Sequence, residues 1–327
     1  MAYPKSRLAE FKASMGPAIK ELKFTINRIK KSPLSIIGIA IILFFVVVAA
    51  MAPILAPPVY HDPYLIPRDG YGSIPKPPSE KHIFGTTEGQ YDIFYGVVWG
   101  TRSAFRIGFM VVLSIALIGL VIGSISGYYG GIVDEIMMRF TDIIFAFPTL
   151  ILAMALVIAL PYSIEIPLGI TTLTFSLQQL DKVLLALILV GWPSYARLIR
   201  GEILRVKQES FVEAAKAIGC SDFRVIVKHI LPNSIYPLLI MASLDVGSIV
   251  LTAAGLSFLG LGAPMGYADW GQMISFSRNW IIGPMNDPYR YWFTFTIPGV
   301  FIFTFVLGWN LLGDAFRDIL DPTLRRR

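Results

Sequence analysis

Hydrophobic positions along this chain gather into long runs broken by short polar stretches. Runs near the ~20 apolar residues that cross a bilayer as a helix fall at 35–55, 104–127, 135–160, 182–199, 234–260 and 293–313. Six spans are therefore predicted, and an even number puts both termini on one side. Ahead of the first span Leu8, Phe11, Met15, Ile19, Leu22, Ile26 and Ile29 recur every three or four residues among eight Lys and Arg. That spacing predicts a basic amphipathic helix lying along an anionic leaflet. Ala50-Met51-Ala52 offers a signal-peptide cleavage site as the competing reading. Length decides against it, because the basic region is too long and the run from Ser35 to Leu55 is long enough to span.

Composition agrees with a membrane protein: 55% of the 327 residues are hydrophobic and 15% charged, against roughly a quarter charged in soluble domains. The net charge of +6 would suit nucleic acid, but the basic residues sit beside apolar spans, which argues for lipid and against nucleic acid. With the termini and the 200–233 loop on one side, that side holds 20 Lys and Arg and the opposite loops five (Arg68, Lys76, Lys81, Arg278, Arg290). The positive-inside rule then makes the first side cytoplasmic. The single cysteine, Cys220, excludes an internal disulfide.

Phe211–Asn233, FVEAAKAIGCSDFRVIVKHILPN, is too polar to span and lies between two spans. Phe211, Ala214, Ala215 and Ile218 follow helical spacing and predict a narrow apolar stripe with two alanines at its centre. Gly219 supplies a left-handed stop, Ser221 a cap for a second helix, and Pro232 the start of the next element. The prediction is helix, sharp turn, helix: a compact docking knob.

E-A-A, three residues, G, nine residues, then x-x-L-P resembles the cytoplasmic EAA signature of ABC importer permeases. GWPSYARLIRGEILRVKQESF, GYYGGIVDEIMMRFTDIIFAFP, LSFLGLG and GDAFRDILDP resemble the peptide and nickel branch of that family, and the likeness runs from about Ser35 to Pro322. The resemblance implies an all-α membrane protein of six transmembrane helices with cytoplasmic N- and C-termini, a cytoplasmic helix-turn-helix coupling loop and the N-terminal amphipathic helix. Its parts would be a basic segment 1–34, a first span 35–55, an extracytoplasmic loop 56–101, a five-helix permease core 102–313 holding the coupling loop 201–232, and a tail 314–327. It implies as partners a homologous second permease subunit, two ABC ATPase subunits that bind ATP and Mg, and an extracytoplasmic solute-binding protein. This chain would hold no cofactor. Coupling to the ATPase would fall to Glu213, Ala214, Ala215, Gly219, Asp222, Arg224, His229, Leu231 and Pro232. The solute would be a di- or oligopeptide, with oligosaccharides or nickel chelates as alternatives. In the outer loop HIFGTTEGQYD resembles the family's HxFGTDxxGRD, with Thr87, Gln90 and Tyr91 where Asp, Gly and Arg are usual.

Other chemistries lack their residues. No G-x-x-x-x-G-K-[ST] can cradle ATP phosphates, no H-E-x-x-H or G-x-S-x-G occurs, and His61, His82 and His229 are too scattered to suggest a metal site. An intramembrane aspartyl enzyme would need paired acids, whereas Asp142 falls at a span boundary and Asp245 in mid-span. A secondary transporter would show internal repeats. Pro148, Pro193, Pro237 and Pro298 should kink the spans. Gly119, Gly123 and Gly127 present one smooth face for packing against another span or another subunit. Arg139 can pair with Glu135 or Asp142.

Asp245 lies seven residues before Thr252, which places both on one helix face about 10 Å apart. A mid-membrane carboxylate costs about 2.5–3.5 kcal/mol on insertion scales and so faces protein or a wet cavity. Asp245, Ser248 and Thr252 are therefore candidates for the solute path. The alternative is structural, with Asp245 bonded to a partner permease, to Ser243 or to Ser248.

Overall fold

A computed structural model describes residues 32–168 and 171–320. The predicted amphipathic helix over 1–34 falls almost wholly outside the described residues, as does the end of the tail.

The apolar runs become helices α1 (Pro33–Leu55), α2 (Ile93–Tyr129), α3 (Gly131–Phe145), α4 (Thr149–Ala159), α5 (Gln179–Val206), α6 (Ser210–Ala217), α7 (Tyr236–Phe258), α8 (Trp270–Phe276) and α9 (Trp292–Leu320). Five of these, α1, α2, α5, α7 and α9, are long and apolar enough to cross a membrane, and α3 with α4 makes a sixth if the bent pair is one span. Capping explains why α2 starts eleven residues before its apolar run. Asp92 Oδ1 accepts from the Tyr95 N–H at 2.8 Å, satisfying one of the amide donors that every helix start leaves open. At the other end Gly130 adopts φ +68° and lets the chain reverse directly into α3.

Proline breaks the third span as its position predicts. Pro148 caps α4, and the axes of α3 and α4 differ by 89°. Pro193 and Pro298 lie inside α5 and α9, while Pro237 sits in the first turn of α7, where its missing N–H costs nothing.

The glycine face of α2 packs within the chain. A methyl group added at Gly119 would overlap Tyr195, one at Gly123 the Ala196 carbonyl, and one at Gly127 the Ile203 side chain. Lipid is as apolar as leucine, so helices gain little by hiding from it and associate through close van der Waals fit. Three glycines on a repeat of four give α5 that fit. Of the two readings the sequence allowed, packing against another span is the one observed. α1 rests on α9 in the same manner, Gly38 against Leu311 and Gly308 against Ile41.

The bundle is helical, as expected, and carries one addition. Ser163–Leu168 and Thr171–Ser176 pair antiparallel as β1 and β2 in a segment whose apolar runs are too short for a span. Alternating β-branched residues favour the strands. The hairpin is closed at its base by Leu177 N–H to the Tyr162 carbonyl at 2.7 Å, and Lys182 Nζ lies 4.0 Å from the Tyr162 ring centre.

At the end of the bundle away from the 210–234 loop, two loops form a cap. Ile66 N–H donates to the Gly266 carbonyl at 2.8 Å and Ala268 N–H to the Tyr64 carbonyl at 2.7 Å. Two buried indoles secure the cap to α2: Trp99 donates to the Ala56 carbonyl at 2.8 Å and Trp270 to the Val97 carbonyl at 3.1 Å. Below them Phe45, Trp270, Phe305 and Trp309 form an aromatic core shared by α1, α8 and α9.

Candidate coupling site

The 210–234 loop folds as helix, turn and helix. α6 ends in paired hydrogen bonds, Gly219 N–H to the Lys216 carbonyl at 2.9 Å and Cys220 N–H to the Ala215 carbonyl at 3.1 Å. This is the Schellman arrangement, which needs a left-handed residue, and Gly219 supplies φ +83°. The predicted Ser221 cap does not form: its side chain makes no capping hydrogen bond, and only its carbonyl engages the next helix. Asp222–Arg224 opens the second arm, Val225–Ile230 widens into a π-helix, and Leu231–Ser234 closes it. Pro232 explains the widening. It has no N–H for the Lys228 carbonyl four residues back and its ring crowds that carbonyl, so Leu231 N–H reaches back five residues to Ile226.

Burial divides the predicted stripe. Ala215, with Val212, Val225 and Ile230, is buried in the knob's own small core, which joins the α2–α5 core. Phe211, Ala214 and Ile218 turn outward, and Phe223 joins them from the second arm. Ile218 is 81% and Phe223 76% exposed. The knob thus presents an apolar surface with small Ala214 at its centre. Glu213, Gly219, Arg224 and Pro232 are exposed beside it, and His229 and Leu231 are half-buried.

Asp222, exposed at the start of the second arm, also bonds inward. Its Oδ1 accepts from the Tyr128 hydroxyl at 2.5 Å, and Lys207 Nζ donates to the Tyr128 carbonyl at 2.6 Å. Lys216 Nζ lies 5.0 Å from the Tyr128 ring centre, within cation–π range. One tyrosine at the end of α2 therefore holds α5, α6 and the second arm together. Nothing in its spacing marks Tyr128 in the sequence, since its partners lie 79 and 94 residues away.

α3 is tied to α5 just above the knob. Arg200 donates to both oxygens of Asp134, through Nε and Nη2, at 2.5 Å, the bidentate fork that lysine cannot reproduce. Arg197 pairs with Asp142. Arg139 keeps only the weaker of its two predicted choices, Glu135 at 3.5 Å on the exposed face.

The path candidates share one face of an unbroken α7. Ser248 is exposed, Asp245 and Thr252 are half-buried, and the Thr252 hydroxyl donates to the Ser248 carbonyl at 2.8 Å. Asp245 Oδ2 accepts from the Tyr195 hydroxyl of α5 at 2.8 Å. Neither serine named as an alternative partner supplies that bond, and Ser243 instead donates to the Ile240 carbonyl.

In the cap, the departures from the family pattern have structural counterparts. Gln90 adopts φ +58°, where the family's glycine is at ease. Tyr91 is buried between the Arg68 guanidinium, 4.7 Å from its ring centre, and the stacked ring of Phe276. Thr87 is fully buried. His82 bridges Asp69 at 3.1 Å and Asp92 at 2.6 Å, and Lys76 and Lys81 also pair with Asp69. These three donors hold the Asp69 carboxyl well below the usual carboxylate range.

A polytopic helical subunit with an anchored knob between two of its spans is the architecture of a transport permease. Residues 119–326 match the family described as binding-protein-dependent transport system inner membrane component, and the chain belongs to that family. Residues 23–78 match the N-terminal TM domain of oligopeptide transport permease C. The chain is 35% identical over 308 residues to the dipeptide transport system permease protein DppC of Alkalihalophilus pseudofirmus, covering 94% of this chain and 92% of that protein. It is 38% identical to the probable D,D-dipeptide transport system permease protein DdpC of Escherichia coli, over 90% and 89% of the two chains. With the oligopeptide transport system permease protein OppC of Bacillus subtilis it is 33% identical over 99% of both.

Proposed function

We propose that this chain is one of two permease subunits of an ATP-driven importer that carries di- or oligopeptides across the cytoplasmic membrane. The observation that carries this reading is the knob. It combines a rigid frame, fixed by Tyr128 and Gly219, with an uncovered apolar surface around Ala214 at the mouth of two spans. Such a surface marks a protein contact, and the small residue at its centre admits close approach. The ATPase subunits occupy that surface, and Glu213, Arg224 and His229 rim it. The charge asymmetry of 20 against five supports a cytoplasmic side for the knob and both termini. The cap at the opposite end then meets the solute-binding protein. The peptide assignment is supported by the relatives' own names and by their length match to this chain.

Reconstitution tests the reading. The chain with a second permease, two ATPases and the binding protein encoded beside it should take up a peptide into vesicles and hydrolyse ATP. The chain alone should do neither. Uptake by the chain alone, or a binding protein that retains a sugar or a nickel chelate in place of a peptide, would overturn the corresponding part of the proposal.

A further inference from the structure

Asp245 is near the middle of the 23-residue α7 and is only half-buried. Its Oδ2 is held by Tyr195, itself fully buried, while no Lys, Arg or His pairs with it among the described residues. Among the cations of α2 and α5, Arg106 is engaged by Asp181, Arg197 by Asp142 and Arg200 by Asp134. Asp245 therefore stands as an acid within a span with no counter-charge among the described residues, a costly arrangement that points to a functional site.

The rest of its helix face indicates that use. Ser248 and Thr252 continue the face, and Gly255 beyond them has no atom within 4 Å of where a side chain would begin. The strip is polar, narrow and partly open, so lipid is an unsuitable neighbour for it. Its acceptors include a carboxylate oriented by Tyr195 and the Ser248 hydroxyl, and it presents no cation. A ligand that complements such a strip brings positive charge and several N–H donors, which is the description of a primary ammonium.

Resting on the peptide reading above, we infer that Asp245, oriented by Tyr195, holds the free ammonium group of the solute midway across the membrane. Tyr195 is then a positioning residue and Asp245 a binding residue. Both lie on the two spans that enter and leave the knob, so movement of those spans would change the geometry of the ammonium site.

The test uses the complete importer in phospholipid vesicles, with dialanine and N-acetyl-dialanine as probes, each at a concentration that saturates the binding protein. Asp245→Asn keeps the hydrogen bond from Tyr195 and removes only the charge. It should lower dialanine uptake about tenfold, as expected for loss of a charge-assisted contact, and leave N-acetyl-dialanine uptake unchanged. Asp245→Glu should preserve the preference for the free amine, and Tyr195→Phe should weaken it without abolishing it. Equal losses for both probes, no loss for either, or failure of Asp245→Asn to assemble with its partners would overturn the inference. A wild-type importer that moves neither probe would instead overturn the peptide reading and the ammonium site with it.

Discussion

Tyr128 and Asp222 meet across 94 residues of sequence, hydroxyl to carboxylate at 2.5 Å, and through them the end of α2 supports the second arm of the knob. Tyr128→Phe removes this bond and leaves the ring for Lys207 and Lys216 to pack against. A hydrogen bond to a charged group contributes about 1.5–3 kcal/mol. We expect faster amide exchange across Asp222–Ile230, unchanged exchange in α5, and less solute moved per ATP. Unchanged exchange in the second arm would show that the tyrosine does not anchor it.

Gly219 offers a cleaner probe of the turn, because a side chain there would meet no atom within 4 Å. Any penalty then comes from its φ of +83° alone, about 1–2 kcal/mol for an ordinary residue. Gly219→Val should uncouple ATP hydrolysis from uptake while the chain accumulates normally in the membrane, and Gly219→Asn, which tolerates the left-handed region, should lose much less. Full transport by the valine variant would contradict a coupling role for the turn.

The parts legible in the sequence are those whose signal is local. Span positions follow from apolar run length, the turn at Gly219 and the break at Pro148 from single residues with restricted or permissive backbones, and the shared face of Asp245, Ser248 and Thr252 from helix geometry. Partner choice was not legible. Asp142 looks past Arg139, its helix neighbour, to Arg197 on α5, because α3 lies across α5 and brings a second arginine within reach. The division of the Phe211–Ile218 stripe into a buried and an exposed half was equally hidden: Val212 rather than Phe211 points inward once α6 packs against the second arm.

Gly123 tests whether the glycine face holds the chain itself. A leucine there would drive into the Ala196 carbonyl and the Ile199 side chain, and backbone offers no rotamer by which to yield. Overpacking costs typically about 1–3 kcal/mol, and more is expected where the neighbour is main chain. Gly123→Leu should lower the thermal midpoint of this chain when it is purified without its partner permease. A midpoint unchanged in the isolated chain but lowered in the assembled importer would move the face to the subunit interface.

The cap should soften in acid, with Asp69 as the cause. Its carboxyl is held well below the ordinary range by Lys76 first, then Lys81 and His82. A carboxylate whose folded pKa is depressed contributes stability that is present above its unfolded value of ~3.9 and is lost as pH falls from there toward the folded value. The contribution is thus complete at neutral pH and is lost progressively below about pH 4. Asp69 is partly exposed and so screened by salt, which makes the effect larger at low ionic strength. Amide protection over 65–92, corrected for the intrinsic exchange rate, should fall progressively in the wild type as pH drops below about 4. In Asp69→Asn it should already be low at neutral pH and change little on acidification. A wild type and variant with parallel pH profiles would assign the acid response to another group.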